Sequence, residues 1–165
     1  MVDIRTSTIE ELATLLGRGG VSAVELLNSY IQAIQSEDKN YNAVAFLNPD
    51  AEKIALELDN ERKNGFVRGP LHGIPILLKD NIDTADKMIT SAGSLALKSN
   101  IAQKDAHLVE RLRGAGAIVL GKTNLSEWAN FRSTRSSSGW SSRGGQVRNC
   151  LLYTSDAADE GLGVD

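Results

Sequence analysis

Lys79 stands at the end of a short apolar run, Gly73-Ile74-Pro75-Ile76-Leu77-Leu78, bounded by glycine and proline breakers in the pattern of a core strand. In an alternating strand it shares a face with Pro75 and Leu77, and burial on that face would lower its pKa toward a neutral amine able to act as a base. Position alone favours a plainer role, a strand-end lysine whose ammonium reaches solvent past its own apolar stem. Two further groups could hold a nucleophile: Ser136-Ser137-Ser138-Gly139 and Ser141-Ser142-Arg143-Gly144-Gly145. With Arg135 and Arg143 the same stretch could cradle an anion on backbone N–H groups, although no P-loop pattern is present. Two histidines, His72 and His107, are too few for a His-rich metal site, and His107 falls in a helical pattern where a surface or groove position is expected. The single cysteine, Cys150, excludes an internal disulfide and a Cys-based zinc cage.

These residues need elements to position them. Ser7-x-x-Glu10 and Thr8-x-x-Glu11 are overlapping capping boxes ahead of Ile9, Leu12, Leu15 and Leu16 at helical spacing, and Gly19-Gly20 closes that helix. Ser22-x-x-Glu25 opens a longer one with Leu26, Leu27, Tyr30, Ile31 and Ile34 on one face. Ala43 to Leu47 reads as a short buried strand, after which Asn48 is expected to cap a third helix, with Pro49 at its first position and Gly65 at its end. Past the strand ending at Leu78, Asp105 is expected to cap a helix carrying Leu108, Val109 and Leu112, stopped by Gly114 and Gly116 before a buried strand from Ala117 to Leu120. Strand, helix and strand in that order favour parallel pairing with helical cover. Gly121-Lys122-Thr123-Asn124 leads into an expected helix from Leu125 to Phe131, capped by Thr123 or Asn124, and Ser133 to Gly145 reads as a loop.

Composition narrows the class. The chain of 165 residues is 41% hydrophobic and 24% charged, ordinary values for one globular domain and far from those of a disordered chain. A net charge of −3 and 5% aromatic residues provide neither the basic field nor the stacking platforms of a nucleic-acid binder. The longest apolar runs are far short of the roughly 20 residues of a spanning helix, so no membrane association is expected. Met1-Val2-Asp3-Ile4-Arg5 lacks the features of a signal peptide, which places the expected location in the cytoplasm.

The segment Gly69-Pro70-Leu71-His72-Gly73-Ile74-Pro75-Ile76-Leu77-Leu78-Lys79-Asp80-Asn81-Ile82 closely resembles the stretch that carries the catalytic lysine in the amidase signature family. Thr90-Ser91-Ala92-Gly93-Ser94, the run from Asp105-Ala106 to Gly114-Ala115-Gly116-Ala117, and Gly121-Lys122-Thr123-Asn124-Leu125-Ser126-Glu127-Trp128-Ala129 resemble successive blocks of that family, in order. Asp86-Lys87-Met88 and the block from Phe131 to Trp140 look most like its peptide amidase branch, and the resemblance covers residues 5 to 149. It implies an α/β fold, a mixed central sheet covered by helices on both faces, of which this chain is the N-terminal part. It also implies hydrolysis of a carboxamide, small or at a peptide terminus, by a Ser, cis-Ser, Lys triad in which Lys79 is the lysine. Backbone donors hold the oxyanion, and no metal or organic cofactor is implied.

In the family pattern the bridging serine sits in a Gly-Gly-Ser-Ser-Gly-Gly-like motif after an Asn-Pro block, and the nucleophile follows later. Neither motif occurs here: Asn149 resembles the Asn of that block, but Cys150 stands where the proline would be. The serines at 136–138, 141 and 142 precede this landmark and are expected to form a substrate-side or structural loop. Ser155 lies near the bridging position but is flanked by Thr154 and Asp156 rather than glycines. Residues 150–165 are acidic without a Lys or Arg, and Cys150 to Glu160 resembles a translated transposase sequencing adapter. The expected organisation is therefore residues 1–149 as part of one amidase domain, followed by an unrelated tail, with the chain itself inactive for want of two triad members. Two other readings stay open: a non-catalytic anion- or partner-binding module built on the Ser/Arg loop, and an amidotransferase subunit of the same family.

Overall fold

A computed structural model describes residues 6–131, 134–135 and 137–149. The first helix, α1 (Ile9–Gly17), uses the second of its two overlapping boxes: Thr8 Oγ1 accepts the Glu11 N–H at 3.2 Å and the Glu11 carboxylate accepts the Thr8 N–H at 2.7 Å. Ser22 and Glu25 do the same for α2 (Ala23–Glu37), at 3.1 and 2.8 Å. The next N–H groups of α2, at Ala23 and Val24, are taken by the Asp59 carboxylate at 2.8 and 3.2 Å. Asp59 belongs to α3 (Ala51–Lys63), so one carboxylate both satisfies helix-end donors and docks two helices.

The entry into α3 differs from expectation. Asp50, not Asn48, is the residue before the helix, and it makes no side-chain capping bond. Buried Asn48 acts two residues earlier: its Oδ1 accepts the Asp50 N–H at 3.0 Å while its Nδ2 donates to the Val119 carbonyl at 2.8 Å. A side-chain amide that can both accept and donate is worth more at the join of helix and sheet than at the helix end.

Three strands, β1 (Val44–Leu47), β2 (Pro75–Lys79) and β3 (Ile118–Thr123), form a mixed sheet in the order β1-β3-β2. The expected parallel pairing joins β2 to β3, with α4 (His107–Gly114) in the crossover between them, and β1 runs antiparallel to β3. Central β3 is buried from Ile118 to Lys122, as the sequence suggested for its apolar part, whereas β1 is half-buried and edge-strand β2 leaves Leu77 and Lys79 exposed. The strand is also longer than its apolar run, because ladder pairing carries it through Gly121, Lys122 and Thr123.

Asp105 does not cap α4, whose preceding residue is Ala106. Its carboxylate instead accepts the Ala85 N–H at 2.6 Å and meets Arg113 Nε at 2.9 Å, tying the crossover helix to the loop after β2.

Alternation along β3 serves both faces. Ile118 and Leu120 join Leu12, Leu16, Leu26, Leu27, Leu58 and Ile74 in a core beneath α1, α2 and α3. Val119 faces the other way and packs with Leu78, Met88 and Val109 under α4.

The expected helix from Leu125 to Phe131 does not form. A single 3₁₀ turn spans Glu127–Asn130, and Trp128 and Ala129 within it have φ of 54° and 52°. Competing partners explain this: the Trp128 N–H goes to the Ala92 carbonyl at 2.9 Å and the Asn124 amide donates to the Asn42 carbonyl at 2.7 Å instead of capping. Within the expected loop, Trp140–Ser141 and Gly145–Gln146 pair as a small antiparallel hairpin, β4 and β5.

Candidate active site

Lys79 is the last residue of β2, paired with Thr123 of β3. It shares the face of Leu77, as alternation requires, and that face is open: both side chains are exposed, the solvent-reaching arrangement that position favoured over burial. The reason lies in the position of β2 at the margin of the three-stranded sheet. The lysine lines a groove of about 340 Å³ whose other walls include Asn124, Ser126, Ala129, Gly139 and Arg148. The left-handed backbone at Ala129 thus forms part of the wall facing Lys79, the kind of place where strained backbone is held by its surroundings. Asn149 also lines the groove.

Immediately behind Lys79 is a set of buried polar groups. Asp80 is fully buried; its Oδ1 accepts the Ser91 N–H at 3.1 Å and its Oδ2 accepts the Ser91 hydroxyl in a short hydrogen bond. The Asp80 carbonyl takes the Ala92 N–H at 3.0 Å, and the Asp80 N–H reaches the Thr123 carbonyl at 3.2 Å. Lys122 is fully buried as well, and its Nζ donates to the Ile82 carbonyl at 2.6 Å and to Thr90 Oγ1 at 3.0 Å. Burial pushes the Lys122 ammonium below the ordinary lysine range, against the pull of Asp80, Asp86 and Asp83.

A break in the ladder gives Lys122 this direction. Ile76 pairs with Val119 and Leu77 with Gly121, so Leu120 is passed over and the strand bulges. Only glycine fits at 121, where a Cβ would lie 2.2 Å from the Phe46 carbonyl oxygen. Beyond the bulge Lys122 lies on the side of Val119 rather than that of Leu120. Sequence reasoning missed Lys122 because it ended the strand at Leu120. The available signal was a lysine one residue past a run of four apolar residues, separated from it by a glycine.

The remaining candidates have structural partners. Buried His72 accepts the Arg68 N–H on Nδ1 at 3.1 Å and sets Nε2 against the Leu58 carbonyl at 2.9 Å, and Gly116, at φ +87°, leaves its backbone room. His107 is on the surface, 3.7 Å from Glu110 of its own helix. The buried Ser141 hydroxyl accepts the Gly144 N–H at 2.9 Å, and the Ser142 hydroxyl accepts the Leu95 N–H at 3.2 Å. These two serines serve the hairpin, as expected of a structural loop. The Arg143 guanidinium lies over the Phe46 ring, 3.8 Å from its centroid, a cation–π contact rather than an open anion cradle. Ser136, Cys150, Ser155 and the whole of the 150–165 tail lie outside the described residues. Among the described residues no helix is long and apolar enough to cross a membrane.

The strand-end lysine faces a groove on a mixed sheet covered by helices, and the chain as a whole has known relatives. The amidase family profile matches residues 25–154, and the chain belongs to that family. Its fold is that of the amidase signature enzymes. The chain is 53% identical to the crystal structure of the native peptide amidase of Stenotrophomonas maltophilia, with a TM-score of 0.86 over 89% of this chain and 30% of that one. An amidase family protein of Bacillus anthracis is 42% identical, with a TM-score of 0.83 over the same shares. One subunit of the glutamyl-tRNA(Gln) amidotransferase of Salinispora tropica is 38% identical over 137 residues, 81% of this chain and 27% of that protein. The chain spans 25% to 32% of the length of its curated amidase relatives.

Proposed function

We propose that this chain is the lysine-bearing part of an amide hydrolase of the peptide amidase type, in which Lys79 is the base of a Ser, cis-Ser, Lys triad. The observation that carries the reading is the placement of Lys79: at the C-terminal end of a strand that is parallel to its neighbour, facing a groove, with the Lys79 and Asp80 carbonyls and the Asp80 N–H all hydrogen-bonded. Ligand sites in open α/β sheets favour that end of the strands. In the triad the nucleophilic serine attacks the carbonyl carbon, the cis-serine passes its proton on, and the uncharged Lys79 amine accepts it. The exposure of Lys79 fits this division of labour, because both serines belong to motifs absent from this sequence and would approach from the open face of β2. This chain alone is therefore inactive.

The substrate is a carboxamide, small or at a peptide end. Identity of 53% to 54% with peptide amidase structures, against 36% to 38% with the amidotransferase subunits, favours hydrolysis over ammonia transfer to an aminoacyl-tRNA. Residues 1–149 then form part of one amidase domain, with 150–165 a separate tail. The test is turnover of peptide amides and free carboxamides by the full-length protein, beside Lys79→Ala and Lys79→Arg. Loss in both variants supports the assignment, and turnover retained in either one rejects Lys79 as the base.

A further inference from the structure

Lys122 is an expensive residue to keep where it is. It is fully buried in the central strand, and taking an ammonium out of water is costly before its partners are counted. An apolar side chain of similar length would fill the same volume beneath α4 without that cost. What Lys122 has instead is two bonds, to the Ile82 carbonyl and to Thr90 Oγ1, near the two ends of the segment that follows Lys79. Asp80 grips the same region from the other side through Ser91. Two opposite charges therefore hold two adjacent residues, Thr90 and Ser91, against the end of β2. Ala92 and Ile82 close the arrangement by donating to the carbonyls of Asp80 and Lys79, at 3.0 and 2.9 Å.

We propose that Lys122 is a positioning residue for Lys79: its bonds to Ile82 and Thr90, with the Asp80–Ser91 bonds as counterpart, fix the backbone from which Lys79 enters the groove. The inference rests on the reading of Lys79 as the base and adds to it a residue outside the triad. Lys122 pairs with Leu78 and Thr123 with Lys79, so the clamp acts one residue from the base, across a single pair of strands. A displacement of about 1 Å in a reacting group can cost on the order of 100-fold in rate, which is the scale on which such a clamp matters.

The experiment uses the full-length protein and a carboxamide that it hydrolyses. Lys122→Met keeps length and volume but removes charge and donors; Thr90→Val removes one acceptor and leaves the Ile82 bond. Lys122→Met is expected to lower kcat about 10- to 100-fold with KM within twofold, and Thr90→Val to lower it several-fold. In both, amide hydrogen exchange should accelerate at Ile82 and Ala92 while the α1–α3 region stays protected. A kcat within twofold of wild type in folded Lys122→Met overturns the proposal. Should Lys122→Met fail to fold, Thr90→Val decides: wild-type kcat and wild-type exchange overturn it. Lys79→Ala, measured alongside, separates the two readings. Turnover in that variant refutes the base assignment, whereas an inactive Lys79→Ala beside a fully active Lys122→Met refutes only the clamp.

Discussion

The two faces of the sheet are built on different principles. Under α1, α2 and α3 the core is almost wholly apolar, and the polar groups it admits, Asn48 and His72, close backbone groups at its margin. Under α4 the apolar cluster is small, four buried side chains, and beside it Asp80, Thr84, Ser91 and Lys122 are buried completely. The first face is fixed by volume, for which many apolar combinations serve. The second is fixed by specific hydrogen-bond partners, so it tolerates less exchange and holds its groups in one geometry. Lys79 follows Leu78, which packs on the second face, so its own side chain leaves β2 on the opposite side.

The largest expected effect is on chemistry. Lys79→Ala and Lys79→Arg should each lower amide turnover in the full-length protein by about 1,000-fold or more, with the far-ultraviolet circular dichroism unchanged. Arginine fails because a guanidinium stays charged and cannot accept the proton. A fold change in either variant would blur the contrast between a residue that acts and a face that supports.

Next comes the apolar face. Leu26 is wholly buried, and Leu26→Ala should cost about 2–5 kcal/mol in urea unfolding, against about 1–3 kcal/mol for Val109→Ala under α4. Gly121→Ala addresses the join between the faces. With the Phe46 oxygen so close to the added carbon, β1 and β3 must part, at about 1–3 kcal/mol, and the redirected Lys122 should make the loss of turnover exceed the loss of folded protein.

The smallest effects are those of pH, and both make stability rise with pH, in different windows. The Ser22 N–H and hydroxyl hold Glu25 below the usual carboxylate range. Its contribution is therefore complete above the unfolded value of 4.5 and is lost as pH falls through the lower folded value. Glu25→Gln should flatten that part of the acid limb, read as amide exchange at the start of α2. Lys122 has the same slope on the alkaline side, but there the rise relieves a penalty on the buried ammonium instead of completing a favourable bond. Burial lowers its pKa from 10.5, so as pH rises through the folded value the native lysine releases its proton first, and stability climbs until the unfolded lysine also titrates. Lys122→Met should remove this rise from the melting temperature measured on the alkaline side.

The helical first third was legible because its signals are local. A serine or threonine three residues ahead of a glutamate, followed by leucines at helical spacing, states where α1 and α2 begin and which side they bury. Parallel pairing of β2 and β3 was legible for a similar reason, since a strand, a helix and a strand within about 50 residues leave few other topologies. Lys79 was singled out by its neighbours in sequence, and the structure places it at the end of β2. The place of β2 at the margin of the sheet was not legible, because a five-residue strand looks the same at the edge of a sheet as in its centre.

What the sequence determined, then, was whatever two residues within one turn or one strand can settle between themselves: caps, helix faces and strand cores. Tertiary structure decided the rest, through partners far along the chain. Asn48 gave up capping for a carbonyl on β3, 71 residues away, and Trp128 left its helix for the carbonyl of Ala92. Lys122 became a core residue only because a bulge at Leu120 turned it toward Ile82 and Thr90, 40 and 32 residues earlier. Each case has one physical cause: a buried polar group takes whichever partner the fold brings within hydrogen-bond reach, and local sequence does not record which one that is.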